Sequence, residues 1–437
     1  MFSFGYHSPM RGGFLARRVV GLGLTATALR PLPGLVSGAS ASIPAFFAGW
    51  LTAELAPQLA VLTALDTGIH LARQGMRGRG DRLGVALAAA TVAGLGLLAA
   101  TGHRTRLEVD RALYEALGED YSPSSTRISP IAALAYLGWP LPRRHPDVVR
   151  TADISYAPPG GRRRSLHVCH RPDLPPGRPA LLHVHGGAWT IGNKDQQGLA
   201  LVRRMAEDGW VCYSANYPLS PKARWPEHLV ALKQAVAWIR AHGGEHGADP
   251  SFLAVTGGSA GGHLAALLAL TAGDPQWQSG FEEADTSVQA CVPHYGVYDF
   301  AATSGTAASI RRRDGLLARV VVGKDPARHA EVYRAASPLD LVHENAPPFF
   351  VLHGRDDLLV PVAEARLFVE RLRAASRNPV AYAELVGAQH AFDVVPSIRS
   401  GHVVDGVRRF LDWAYRSGPL SADGDSGHGC VPDREPP

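Results

Sequence analysis

Two kinds of hydrophobic spacing divide this chain. From about residue 151 onward, short apolar runs of strand length recur at 180–185, 211–215, 252–256, 290–294, 349–353 and 380–385. Segments of helical character lie between and after them, clearest at 229–242, 262–272, 363–376 and 403–416. Strands that alternate with helices need crossover connections. They therefore pair in parallel, with helices on both faces of the sheet. The pattern predicts an α/β domain over 151–416. The tail, 417–437, is rich in Gly, Asp, Ser and Pro and predicts disorder.

The first hundred residues follow a different rule. Residues 83–102 (LGVALAAATVAGLGLLAATG) carry no charge. At 1.5 Å per residue, about 20 apolar residues cross a bilayer core. The stretch predicts a transmembrane helix; its high Ala and Gly content also suits a buried core helix. Residues 43–71 are apolar but hold Glu54, Pro57 and Asp66, which fits a second span or a helix lying in the interface. Arg17 and Arg18 followed by VVGLGLTATAL have the form of a signal-peptide core, with Ala39-Ser40-Ala41 as a candidate cleavage site, although Arg30, Pro31 and Pro33 interrupt it. Residues 1–105 thus read as an apolar N-terminal region with one or two candidate transmembrane helices. Residues 106–150, Ala- and Leu-rich but broken by Pro123, Pro130, Pro140 and Pro142, read as a helical connector or cap.

Charge sharpens the division. Residues 1–82 hold eight Arg and no Lys against Glu54, Asp66 and Asp81, which accounts for the whole formal charge of +5. Arg beside apolar stretches reflects membrane topology more often than nucleic-acid binding, and no basic face interleaved with aromatics is present. The expectation is membrane association and no nucleic-acid partner. Arg73, Arg77, Arg79 and Arg82 lie between the two apolar stretches. If both span, that loop is cytoplasmic and the C-terminal domain extracytoplasmic, with Arg104, Arg106 and Arg111 opposing this orientation. Across all 437 residues, 46% are apolar and 19% charged, enough for a sizeable core. Cys169, Cys212, Cys291 and Cys430 form neither a CxxC pair nor a zinc spacing, so no metal site is expected.

Within the α/β pattern, Gly257-Gly258-Ser259-Ala260-Gly261 fits G-x-S-x-G. It follows the apolar run FLAVT and opens the apolar helix HLAALLALTA, the strand–turn–helix setting of a nucleophilic serine. A phosphate-cradling loop would need G-K-[ST], which is absent. Upstream, His185-Gly186-Gly187-Ala188-Trp189 ends another apolar run. Its flexible backbone suits N–H donors that bind an oxyanion: Gly187 and Ala188, with Ala260 as the third. His185 braces this loop, and Trp189 packs beside the site. A serine hydroxyl needs a base oriented by an acid, in chain order Ser, Asp or Glu, His. Asp357 lies just past the run at 349–353, with Asp356 as the alternative, and His390 follows the next strand. The rival His343 and His353 precede the acid, and His402 opens the last helix.

The motifs HGGAW, NYPLSP (216–221), WPEHL (225–229), GGSAGGHL, HGRDDLLVP and GAQHAF occur together in this order. In this the chain resembles the α/β-hydrolase superfamily, in its hormone-sensitive-lipase-like and carboxylesterase branch, over roughly 150–416. The arrangement is most similar to mycobacterial-type Lip esterases with an apolar N-terminal region. The resemblance implies the α/β-hydrolase fold, an acyl-serine mechanism on a small-molecule or lipid ester, and no metal or organic cofactor. Ala188 stands where many relatives have a third glycine. HGGAW also occurs in arylformamidase-like relatives, so amide hydrolysis is the alternative. A non-catalytic binding protein on this fold is a further one, disfavoured by the complete set of Ser, Asp and His.

Overall fold

The computed structural model describes residues 9–30, 39–118, 121, 146–158 and 160–418. Most of the connector over 118–150 and all of the tail after 418 lie outside the described residues. Eight strands form one sheet in the order β1-β2-β4-β3-β5-β6-β7-β8. They are β1 Val149–Ser155, β2 Ser165–His170, β3 Arg178–Val184, β4 Val211–Ala215, β5 Ala248–Gly258, β6 Ala290–His294, β7 Phe349–Gly354 and β8 Val380–Leu385. From β4 to β8 every pairing is parallel, whereas β2 runs antiparallel to both β1 and β4. All six expected strands are present. The two unexpected ones form the antiparallel edge. β1 is exposed at every residue but Ile154, so it has no apolar run to reveal it.

The central strands β3 to β7 are buried almost throughout, which explains their unbroken apolar runs. One core layer gathers Leu182, Val255, Leu264 and Phe349, and the opposite layer gathers Leu181, Ala254, Phe350 and Phe410. This is the α/β-hydrolase fold, with an apolar helical region ahead of it.

That region comprises α1 Pro9–Leu29, α2 Ala39–Glu54, α3 Ala56–Gln74 and α4 Arg79–Leu117. Helices α2 and α3 meet at 82°, and Pro57 sits in the first turn of α3, where a missing N–H costs nothing. Ala39-Ser40-Ala41 opens α2. Helix α4 has 39 residues and runs through position 105 without a break. Its N-terminal part packs on α1 and α3, with Leu95 and Leu98 beside Ala53 and Ala56. Its C-terminal part, Val109, Ala112, Leu113 and Leu117, joins the sheet core. The expected connector thus begins as the end of the apolar helix. By length and composition α4 can cross a membrane, and α2 with α3 can do so only as a bent pair.

Some of the charges in the bundle are paired. The Asp66 carboxylate accepts from Arg17 and Arg18, and His70 pairs with buried Asp81 at 3.0 Å while Phe14 stacks on its ring.

Candidate active site

Strand β5 ends at Gly258, and helix α5 (Leu199–Glu207) is followed in the chain by α6 (Glu227–His242) and α7 (Ala260–Leu270). Ser259 is the single residue between β5 and α7. Its φ of 58° and ψ of −118° turn the chain sharply. A side chain at such a backbone position stores roughly 1–3 kcal/mol of strain. Its backbone N–H donates to the His294 carbonyl at 2.9 Å. Glycine is required at 261, where a Cβ would strike the Val184 carbonyl, and at 186, where a Cβ would lie 2.6 Å from the Gly258 oxygen and 3.3 Å from the Ser259 Cβ. The loop after β3 therefore lies directly against Ser259.

In that loop Gly187, Ala188 and Trp189 all have positive φ: 118°, 50° and 60°. Among the described residues, the N–H groups of Gly187, Ala188 and Ala260 have no hydrogen-bond acceptor. The loop is braced from several sides. The His185 Nδ1 donates to the Gly186 carbonyl at 2.7 Å, and its ring stacks on Tyr217, whose hydroxyl donates to the His185 carbonyl. Burial lowers the His185 pKa to about 4, so the ring is neutral at pH 7. The Gly186 N–H donates to the Gln197 side chain at 2.7 Å, a contact that no motif signalled. Trp189 is buried and donates from Nε1 to His263 Nδ1.

Asp357 follows β7, and His390 follows β8. The His390 Nδ1 donates to Asp357 Oδ2 at 2.7 Å, which leaves Nε2 with its lone pair. The other oxygen, Oδ1, accepts from the N–H groups of Leu359 and Val360, each at 2.8 Å. Burial pushes the Asp357 carboxyl up. Attraction to the protonated form of His390, with hydrogen bonds from His353 and His390, outweighs that and holds it well below the usual range. Asp356 is turned away, towards the backbone at Gly387, and burial raises its pKa. His353 lies behind Asp357 and donates to the Val360 carbonyl, while His402 packs near His103.

Tyr295 connects the two halves. Its hydroxyl would be 2.5 Å from a Cβ on Gly258, and its ring centroid is 4.6 Å from that of His390. The hydroxyl donates to Asp393, which also accepts from His294 Nδ1 at 2.6 Å. Burial alone would raise the Asp393 carboxyl, but His294 and these hydrogen bonds keep it low. Neither Tyr295 nor Asp393 was expected. The position of Asp393, three residues after His390, was the signal available in the sequence. Phe46 and Trp50 of α2 also reach the His390 loop, and nothing in their sequence context indicates it.

Similarity to known proteins gives the same fold and narrows the family. The sequence model of the BD-FAE family matches residues 171–372. "Probable carboxylic ester hydrolase LipM" of Mycobacterium tuberculosis is 40% identical over 410 residues, spanning 92% of this chain and 93% of LipM. The chain is a Lip-type esterase of the α/β-hydrolase superfamily. Another Lip-type relative, "Esterase LipC" of the same organism, is 45% identical over 290 residues, covering 64% of this chain and 71% of LipC. Among solved structures, a carbohydrate esterase from gut microbiota superposes with a TM-score of 0.53 at 21% identity, over 60% of this chain and 96% of that one, a likeness of fold. The match to LipM extends the Lip-type kinship beyond the hydrolase fold into the helical region that precedes it.

Proposed function

We propose that this Lip-type protein hydrolyses carboxylic esters with Ser259 as nucleophile, His390 as general base and Asp357 as its orienting acid. The observation that carries the reading is the buried 2.7 Å bond from His390 Nδ1 to Asp357. Ser259 sits in a strained turn at the end of β5, and Tyr295, against Gly258 on one side and the His390 ring on the other, links the two. Ser259 Oγ attacks the acyl carbon as its proton passes to His390 Nε2. The N–H groups of Gly187, Ala188 and Ala260 stabilise the oxyanion. The carbon–oxygen bond then breaks, and His390 returns the proton to the departing alcohol. Water, deprotonated by His390, attacks the acyl-serine; the carboxylic acid leaves and Ser259 regains its proton. Asp357 stays ionised throughout and stabilises the imidazolium. No step calls for a metal or organic cofactor.

The catalytic unit of this reading is 151–416, and the N-terminal helices attach it to a membrane. Among the described residues, sixteen of the nineteen exposed large apolar side chains lie before residue 118, including Val19, Val20, Phe47, Leu62, Leu65 and Leu97. Such a concentration of exposed apolar surface suits lipid rather than water. Small-molecule or lipid esters are the substrate class.

Ser259→Ala should abolish hydrolysis of p-nitrophenyl esters and labelling by a fluorophosphonate. Retained turnover would remove Ser259 from the mechanism. Matched ester and formamide substrates test the bond type: faster formamide cleavage would replace the ester reading with an amide one.

A further inference from the structure

The loop from β8 to the last helix carries His390, and the apolar N-terminal region holds it. One stripe of α2, spaced i, i+4, i+8, makes three successive contacts with this loop. Phe46 packs edge-on against the His390 imidazole, with centroids 6.1 Å apart and planes at 76°. Trp50 Nε1 donates to the Ala391 carbonyl at 2.9 Å, one residue beyond the base. Glu54 accepts from Ser397 Oγ at 2.7 Å and from Arg399 Nε at 2.9 Å. Between the first two, a Cβ added at Gly49 would come within 3.7 Å of the Gln389 side chain. Gln389 in turn accepts from the Leu358 N–H, next to the acid.

Arg399 completes the grip. Its buried guanidinium donates to the Val386 and Gly387 carbonyls at the start of the loop, and to Thr101 and Thr105 of α4. The middle and end of the loop are thus held by Trp50 and Glu54 of α2, and its start by Arg399, which is itself bound to Glu54 of α2 and to Thr101 and Thr105 of α4. Further anchors are the Val386 N–H, which donates to Glu108 of α4 at 3.2 Å, and Asp393 on His294 and Tyr295.

We propose that α2 belongs to the catalytic apparatus: Trp50 is a positioning residue that fixes the loop bearing the base, and Phe46 sets the attitude of the imidazole. The proposal rests on the Ser259–His390 reading above. Its physical basis is that proton transfer and attack depend steeply on geometry, so a shift of about 1 Å from a remote contact costs up to ~10²-fold in rate. Phe46 and Trp50 also stack on one another at 5.6 Å, so the two contacts move together. On the adjoining stripe of the same helix, Ile43, Phe47 and Leu51 are exposed. One helix therefore joins the outer apolar surface to the base.

The test compares Trp50→Phe and Phe46→Leu with the wild type, as full chains in the same detergent. Active sites are titrated so that kcat refers to folded enzyme. Trp50→Phe keeps an aromatic ring and removes the N–H; Phe46→Leu keeps apolar bulk and the Trp50 hydrogen bond. The expected result is a kcat on a short p-nitrophenyl ester lowered roughly tenfold or more, with KM within about twofold. The fluorophosphonate labelling rate should fall in parallel. Should Trp50→Phe fail to fold, Phe46→Leu alone decides. A kcat within twofold of wild type would overturn the proposal, and so would a loss confined to KM, which would make α2 a substrate-binding wall. Ser259→Ala and His390→Ala run alongside. Activity surviving in either removes the underlying reading; loss in both with a neutral Trp50→Phe removes only the role of α2.

Discussion

At Ser259 the backbone is held where an ordinary side chain resists going, and the surrounding contacts determine what that strain achieves. The turn holds Ser259 at a φ of 58°, and the loop at Gly186 lies so close that a Cβ there would come within 3.3 Å of the Ser259 Cβ. Asp357→Asn should leave this geometry intact but favour the wrong imidazole tautomer. A kcat reduced ~10³–10⁴-fold with KM little changed is the expected outcome in steady-state kinetics. Away from the site, Glu384 offers a pH-dependent test. Hydrogen bonds from Arg366, and then Arg355, overcome partial burial and lower its pKa from 4.5 to about 2. A carboxylate with a depressed folded pKa stabilises fully above its unfolded value, and that contribution fades as pH falls from 4.5 towards 2. Both arginines are half exposed, so the effect is on the order of 1–2 kcal/mol after screening. Urea denaturation should find Glu384→Gln weaker than wild type at pH 7 and equal to it near pH 2; a gap independent of pH would contradict this. Ser259, Asp357 and His390, the proposed nucleophile, acid and base, stood out in the sequence because each follows the end of an apolar strand in a fixed order. Tyr295 did not, because its role depends on strands β5, β6 and the β8 loop meeting in space.

At the scale of elements, legibility followed burial. Strands β3 to β8 reveal themselves because the sheet centre is covered on both sides, whereas β1 has nothing apolar to show. Helix α4 posed a different difficulty. Its apolar middle was plain, but its amphipathic end gave no sign that it docks on the sheet. There Leu113 is fully buried, and a Cβ on Gly406 would collide with Val109. Leu113→Ala should cost about 2–5 kcal/mol, measured by urea denaturation in detergent. A cost below about 0.5 kcal/mol would mean that this part of α4 is only an appendage.

For the whole molecule, the bundle and the hydrolase domain share a buried junction. Arg399 and Glu54, both nearly inaccessible, form its charged centre at 2.9 Å. Removing one partner of such a pair typically costs about 3–5 kcal/mol, because the other charge is left uncompensated. Deletion of residues 1–105 takes away Glu54, Thr101 and Thr105 together. The truncated protein should therefore melt well below the full chain; an unchanged melting temperature would show the junction to be dispensable. This dependence was invisible in the sequence, since Glu54 and Arg399 lie 345 positions apart. The unbroken course of α4 has one more consequence. Its 39 residues make a rod about 58 Å long, sunk into the bundle at one end and the sheet at the other. A flexible leash would let an enzyme sweep a hemisphere of solution above its anchor. A rod clamped at both ends instead fixes height and heading, so a bundle seated in a bilayer, as proposed above, would hold the hydrolase domain at one constant aspect to that surface.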